Sequence, residues 1–206
     1  MNRLLPLIIV ALATLALSML FFVAGPMLQI APLDPPVELK PYSEAELRGR
    51  HQYVSLGCVY CHSQQPRAPA QAPDQARGWG RPSTPADYVF DRPHLLGTMR
   101  TGPDLLNIGV RQPSRDWQLT HLYAPRAIEP GSIMPAFPFL FEAKDKPAKG
   151  DVVVTVPDTF RPEGKTVVAR QEALDLVDYL LSLDRSYPAV HQELRDNAYA
   201  PVGGDQ

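Results

Sequence analysis

Hydrophobic positions are distributed along this chain in three ways. Leu4 to Ala24 is an unbroken run of 21 residues without a charge, and Thr14 and Ser18 are its only polar side chains. At about 1.5 Å per residue a helix over this run spans about 31 Å, which matches a hydrocarbon core of roughly 30 Å. Pro6 falls in the first turns, where proline is tolerated, and Gly25-Pro26 is expected to break the helix at its outer end. Further on the pattern is amphipathic. Ser43-Glu44-Ala45-Glu46 has the form of a capping box and predicts a helix over 44–56, with Gly57 placed to end it. Pro113-Ser114 opens a second helix over 114–123, which offers Trp117, Leu122 and Tyr123 for packing and stops at Pro125. A third, over 170–183, puts Ala173, Val177, Leu180 and Leu181 on one face. Val152–Val156 and Lys165–Val168 predict a small β-hairpin around residues 161–164. The third pattern is no period at all. Residues 63–112, rich in Pro, Gly and Arg, predict loop with short helical turns, and 129–141 is a proline-punctuated apolar loop.

The N-terminal run is longer than the roughly 7–15 apolar residues of a secretory signal, and its one small-residue site, Val23-Ala24-Gly25, is followed directly by Pro26. An uncleaved anchor therefore fits better than a cleaved leader. Arg3 precedes the run and no Lys or Arg follows until Lys40, which places the N-terminus in the cytoplasm and the rest outside. The expected location is a single-pass position in the inner (plasma) membrane with the soluble part on the periplasmic side. Pro32, Pro35, Pro36 and Pro41 make an extended spacer. The boundaries that follow are an anchor at 1–28, a spacer at 29–42, one domain at 43–186 and a loose tail at 187–206.

A net charge of −2 and a pI of about 6.2 give no basic face for nucleic acid. Twenty-three prolines in 206 residues make the domain loop-rich, and a loop-rich domain of this size needs more than aliphatic packing to define its core. A large apolar cofactor would serve.

Cys58 and Cys61 are the only cysteines, too close together to close a useful disulfide loop. They stand in Cys58-Val59-Tyr60-Cys61-His62, the C-x-x-C-H pattern of c-type haem attachment. Two thiols at this spacing can each add to one porphyrin vinyl group, and the next residue presents an imidazole to the iron. A thioredoxin-like C-x-x-C would need a βαβ context, and a zinc site would need further Cys or His ligands at matching spacing. The expectation is one covalent haem c. For the sixth ligand, His/Met ligation raises the reduction potential and suits an electron carrier. Met134, held in a rigid apolar loop by Pro135, is preferred to Met99, which has the context of a packing residue. His51, His94, His121 and His191 are rival axial ligands. Gly102-Pro103-Asp104-Leu105 is either an ordinary turn or the source of a backbone carbonyl, from Pro103, that accepts the free N–H of the ligating imidazole. Between Cys58 and Leu140 there are eight arginines and no lysine. Guanidinium binds paired carboxylates such as haem propionates, and Arg67, Arg100 and Arg126 are favoured for this because they sit beside the motifs.

Together these motifs resemble a known family. Gly49-Arg50-x-x-Tyr53-x-x-x-Gly57-Cys58-x-x-Cys61-His62-Ser63-Gln64 is similar to the mono-haem subunit of cbb3-type cytochrome c oxidases, the FixO/CcoO family. So are Tyr88-Val89-Phe90-Asp91, Arg100-Thr101-Gly102-Pro103-Asp104-Leu105, His121-Leu122-Tyr123-x-Pro125-Arg126 and Met134-Pro135-Ala136-Phe137-Pro138. The resemblance covers about residues 43–141 plus the anchor. It implies that His62 and Met134 are the iron's axial ligands and that Cys58 and Cys61 attach the haem. It also implies a mainly α, class I cytochrome c fold in which the helices at 44–56 and 170–183 cross at the haem edge. Phe139, the segment 94–99 and the hairpin at 151–168 depart from the family pattern.

In that family the subunit relays electrons to a haem–copper catalytic subunit and exchanges them with other c-type cytochromes, so those are the implied partners, with membrane lipid around the anchor. The alternatives are a free-standing anchored cytochrome serving another respiratory complex or a nitric oxide reductase-like enzyme, and a haem-based catalyst or sensor with an open sixth position. The Met134 loop speaks against the last. No paired carboxylates, nucleophile–base pattern or second metal site occurs in the sequence, so oxidase chemistry would belong to a partner rather than to a catalytic site of this chain.

Overall fold

The computed structural model describes residues 4–29, 33–97 and 99–189, and the chain divides into two units, Met1–Asp34 and Pro35–Gln206. From residue 190 onward the expected tail lies outside the described residues.

The first unit is helical. Helix α1 (Leu4–Met19) passes into a π-helical stretch at Leu20–Ala24 and on into α2 (Gly25–Gln29). Leu4–Leu28 is long and apolar enough to cross a membrane. Gly25-Pro26 does not end this helix. Proline crowds the carbonyl four residues before it. The wider turn just upstream, in which the Gly25 N–H reaches back to the Leu20 carbonyl, relieves that clash and lets the helix continue.

The second unit is mainly helical with a small sheet. Its first helix, α3 (Glu44–Ser55), starts at the expected capping box: the Glu46 N–H donates to Ser43 Oγ at 3.3 Å and the Ser43 N–H to Glu46 Oε2 at 2.6 Å. A short α4 (Ile108–Arg111) precedes α5 (Arg115–Tyr123), whose N-cap Ser114 accepts from the Trp117 N–H at 3.2 Å. Pro125 closes α5 and also opens α6 (Pro125–Ile128), since proline suits a first helical position. The last helix is α7 (Gln171–Ser182), with Ala173, Leu176, Val177 and Leu180 buried.

The expected hairpin is a three-stranded antiparallel sheet. Strand β3 (Thr166–Ala169) lies between β1 (Phe141–Lys144) and β2 (Val152–Val153), with Phe141 opposite Ala169 and Val152 opposite the same residue on the other side. Strand β1 leaves the proline-rich loop directly and has only four residues, too few to show a period of two.

Helices α3 and α7 cross at their backbones. A Cβ on Gly49 would stand 1.9 Å from the Asp175 carbonyl oxygen and 2.8 Å from Tyr179 Cβ, so only glycine permits this approach. Tyr53 and Tyr179 pack beside the crossing with ring centroids 5.6 Å apart, and both are fully buried. Arg48 forks onto Asp175 at 2.7 and 3.0 Å and ties the two helices together.

The aperiodic stretch from 63 to 100 is held by buried polar bonds rather than by an apolar face. Arg81 forks onto Asp87 at 2.7 and 2.9 Å, and Arg185 Nε donates to the Asp87 carbonyl at 3.0 Å. Tyr88 Oη donates to the Gln64 carbonyl at 2.8 Å, and Arg100 pairs with the buried Asp74. Burial alone would raise the Asp87 pKa. The Arg81 guanidinium and the Thr84 N–H outweigh it and hold the carboxyl below the usual range.

Gly49→Ala is expected to force α3 from α7 and to cost about 1–3 kcal/mol, measured by chemical unfolding of the detergent-solubilised chain. A carboxyl with a depressed folded pKa contributes stability above its unfolded pKa and loses it as pH falls through the folded value. Stability is therefore expected to fall below about pH 4. Asp87→Asn is expected to lower stability at pH 7 and to flatten that acid limb.

Candidate haem site

The site starts at the end of α3. Gly57 turns the chain (φ 77°), and Cys58–Tyr60 forms a single 3-10 turn. The Cys58 carbonyl accepts the N–H groups of Cys61 and His62 at 3.2 and 3.0 Å, which places both thiols and the imidazole on one tight turn. His62 Nδ1 lies 2.7 Å from the Pro103 carbonyl oxygen. A carbonyl only accepts, so Nδ1 carries the proton and Nε2 keeps its lone pair. The ring rests directly on Gly102: a Cβ there would lie 2.3 Å from His62 Cε1 and 2.8 Å from each ring nitrogen. The loop that supplies this carbonyl is itself stitched to the motif. The Gly102 N–H donates to the Cys61 carbonyl at 2.9 Å and the Leu105 N–H to the Ser63 carbonyl at 2.8 Å. The buried Asp104 carboxylate accepts from Ser63 Oγ at 2.6 Å, from the Gln65 N–H at 2.7 Å and from the Leu106 N–H at 3.0 Å. Burial lowers the His62 pKa, keeping the imidazole neutral, and raises that of Asp104.

These groups open onto a cavity of about 670 Å³, within the usual range for bound cofactors. Cys58, Cys61, His62, Pro103 and Met134 all line it, over a floor of Leu122, Leu176 and Leu180. Three buried polar atoms without a hydrogen-bond partner belong to its lining: Tyr53 Oη, Arg111 Nε and His121 Nδ1. Buried polar atoms are almost always paired, so three orphans around one cavity mark it as the seat of a further group. Two thiols, an imidazole with a free lone pair, a thioether and mostly apolar walls together suit a haem.

Over residues 2–162 the sequence matches the family of cytochrome c oxidase mono-haem subunits, FixO. The chain belongs to that family. A comparison with curated proteins gave no match. The family carries one haem and forms part of a cytochrome c oxidase complex of cbb3 type. The match contains the N-terminal helix, the cysteine turn and the Met134 loop, and ends before β3 and α7.

In this FixO-family chain the axial candidates separate by position. Met134 is half-buried on the cavity, its N–H donating to Ser132 Oγ at 3.2 Å. Met99 is 57% exposed and does not line the cavity. His51 and His94 are exposed and also stand apart from it, while His191 lies outside the described residues. His121 does line it, stacked on Trp117 with ring centroids 4.8 Å apart and planes within 8°. None of the three arginines singled out in the sequence lines the cavity. Arg100 pairs with Asp74, donates to the Gln65 carbonyl at 2.6 Å and covers the Trp79 ring at 5.5 Å. The Arg67 N–H donates to Asp74 at 2.7 Å, and Arg126 is exposed on α6. Arg111 lines the cavity instead. In the sequence it is one of eight similar arginines, and only the fold distinguishes it.

Gly102→Ala is expected to push the His62 ring out of place and to cut the yield of haem-bearing protein several-fold, scored by haem-stained band intensity per chain.

Proposed function

We propose that this chain is a membrane-anchored, mono-haem c-type cytochrome with a class I cytochrome c domain. It would pass single electrons within a cbb3-type oxidase complex. The observation that carries this reading is the convergence of the cysteine–histidine turn and Met134 on one apolar cavity within a chain of the FixO family. Haem, when bound, supplies the one-electron iron couple. Cys58 and Cys61 would hold it through thioether bonds, His62 through Nε2 and Met134 through its sulfur. The Pro103 carbonyl fixes the tautomer and plane of His62. The apolar floor keeps water from the iron, and low polarity together with a thioether ligand favours a high potential. The N-terminal helix would hold the domain at the periplasmic face of the inner membrane. There it would take electrons from other c-type cytochromes and deliver them to the haem–copper subunit.

Purification of the tagged chain from its native membranes in mild detergent tests this. Co-purification of a multi-span haem–copper subunit with oxygen-reducing activity is expected. A lone haem-stained band, with the activity left in other fractions, would contradict the oxidase assignment and favour a free-standing carrier. Met134→Ala is expected to keep its covalent haem, to lower the reduction potential and to let carbon monoxide bind the reduced protein without denaturation. An unchanged potential and spectrum would remove Met134 from the iron.

A further inference from the structure

We propose that Tyr53, Tyr179 and Tyr42 form an oxidation outlet, through which Tyr42 supplies the second electron when hydrogen peroxide is reduced at the haem. This rests on the haem reading above and adds a protective activity to it.

The row starts in the cavity, where Tyr53 and Cys58 are both part of the lining. Tyr53, on α3, packs against Tyr179 of α7 with ring centroids 5.6 Å apart, and Tyr179 packs against Tyr42 at 5.7 Å. Tyr53 and Tyr179 are buried, while Tyr42, two residues ahead of α3, is half-buried. The rings therefore lead from the cavity wall, through the helix crossing, to the surface of the domain. Other rings on the cavity wall have no such continuation. Trp117 stacks on His121, and Phe137 meets Phe139. A phenylalanine ring resists one-electron oxidation and has no hydroxyl proton to give up.

The hydroxyl groups decide where the oxidation settles. A phenol that loses an electron becomes a strong acid, so a lasting tyrosyl radical needs a base for its proton. Tyr53 Oη is buried without a hydrogen-bond partner. Tyr179 Oη bonds the Gln64 side-chain amide at 3.0 and 3.2 Å, and a neutral amide is a very weak base. Tyr42 differs. Its Oη donates to Asp91 Oδ1 at 3.1 Å and accepts from Arg185 Nη2 at 3.3 Å, so its own proton points at a carboxylate. Asp91 is buried, and Arg50 Nε lies 3.4 Å from the same oxygen. Burial, with the charge of Asp91 second, pushes the Tyr42 pKa up to about 12. The phenol thus keeps its proton until the electron leaves. Tyr53 and Tyr179 carry the electron without releasing protons, and Tyr42 is the terminus.

In this step the O–O bond of hydrogen peroxide breaks and two waters form, which takes two electrons and two protons. One electron comes from the reduced iron, which becomes ferric. The other leaves Tyr42 and reaches the haem through the Tyr179 and Tyr53 rings, while the Tyr42 proton moves to Asp91. Solvent supplies the two protons that complete the waters. A further electron delivered through the haem, with the proton held on Asp91, restores Tyr42. Without the outlet the second oxidising equivalent stays at the haem and damages it.

The test uses the full-length holoprotein in detergent, with covalent haem verified first by its optical spectrum. The reduced protein is mixed with hydrogen peroxide and a nitroso spin trap, and the adduct is mapped by mass spectrometry of the digest. Each measurement is repeated with Met134→Ala present, which opens the iron to peroxide. The adduct is expected on Tyr42, and freeze-quenched samples are expected to show a tyrosyl signal that narrows with ring-deuterated tyrosine. Tyr42→Phe is expected to abolish that signal and to speed haem bleaching by peroxide several-fold. Asp91→Asn is expected to cut the radical yield although Tyr42 remains. Tyr60→Phe, at an exposed tyrosine outside the row, is expected to change neither radical nor bleaching. No adduct, an adduct anywhere but Tyr42, or bleaching unaltered in Tyr42→Phe overturns the outlet and leaves the haem reading standing. If Tyr42→Phe assembles no haem, the adduct map of the chain with Tyr42 intact decides alone. A wild type without covalent haem overturns both the outlet and the reading beneath it.

Discussion

The orientation of one imidazole governs this domain. His62 hangs from a single 3-10 turn, and its Nδ1 hydrogen bond to the Pro103 carbonyl decides which nitrogen faces the cavity and in what plane. That carbonyl has to be held from outside, because a proline loop has no helix or strand to fix it. Asp104 does so by accepting three hydrogen bonds from residues on either side, and Arg100 closes the array by reaching both Gln65 and Asp74. The buried charges of the 63–104 region are therefore tied to the geometry at His62. Removing one partner would leave a desolvated carboxylate or guanidinium, a larger loss than that of the bond itself.

The arginines of this stretch divide by what they touch. Arg81 and Arg100 are spent on carboxylates and carbonyls of the chain, which gives an aperiodic, proline-rich segment a defined path without an apolar face. Arg111 is the one that faces the cavity. Adjacency to a motif in sequence favours Arg67, Arg100 and Arg126, but adjacency says nothing about direction. Arg100 follows the motif loop yet turns towards Asp74, and Arg126 begins a helix whose outer side meets solvent.

The parts of the fold legible in the sequence are those written in local chemistry. The Ser43–Glu46 box, the Ser114 cap and the periodicity of 170–183 are each settled within four to twelve residues, and α3, α5 and α7 begin within a residue or so of where these signals place them. The cysteine–histidine turn is equally local. What escaped depends on distant partners. Strand β1 (Phe141–Lys144) exists because β3 pairs with it from 22–28 residues further along the chain, and four residues carry no pattern. Gly25-Pro26 signals a break, yet a π-helical turn absorbs the proline, and nothing short of the backbone path reveals which outcome wins. Met134 and His121 could both be weighed as ligands in the sequence. Only the fold brings them to the same cavity as His62 and leaves Met99, His51 and His94 outside it.

Acid–acetone extraction of the purified chain, followed by the pyridine haemochrome spectrum of the washed polypeptide, tests the central claim most directly. One haem per chain retained on the polypeptide, with the spectrum of a porphyrin whose two vinyl groups are saturated, is the predicted result. Haem that extracts into the solvent and leaves a colourless polypeptide would contradict attachment at Cys58 and Cys61, and with it the proposed assignment of the cavity.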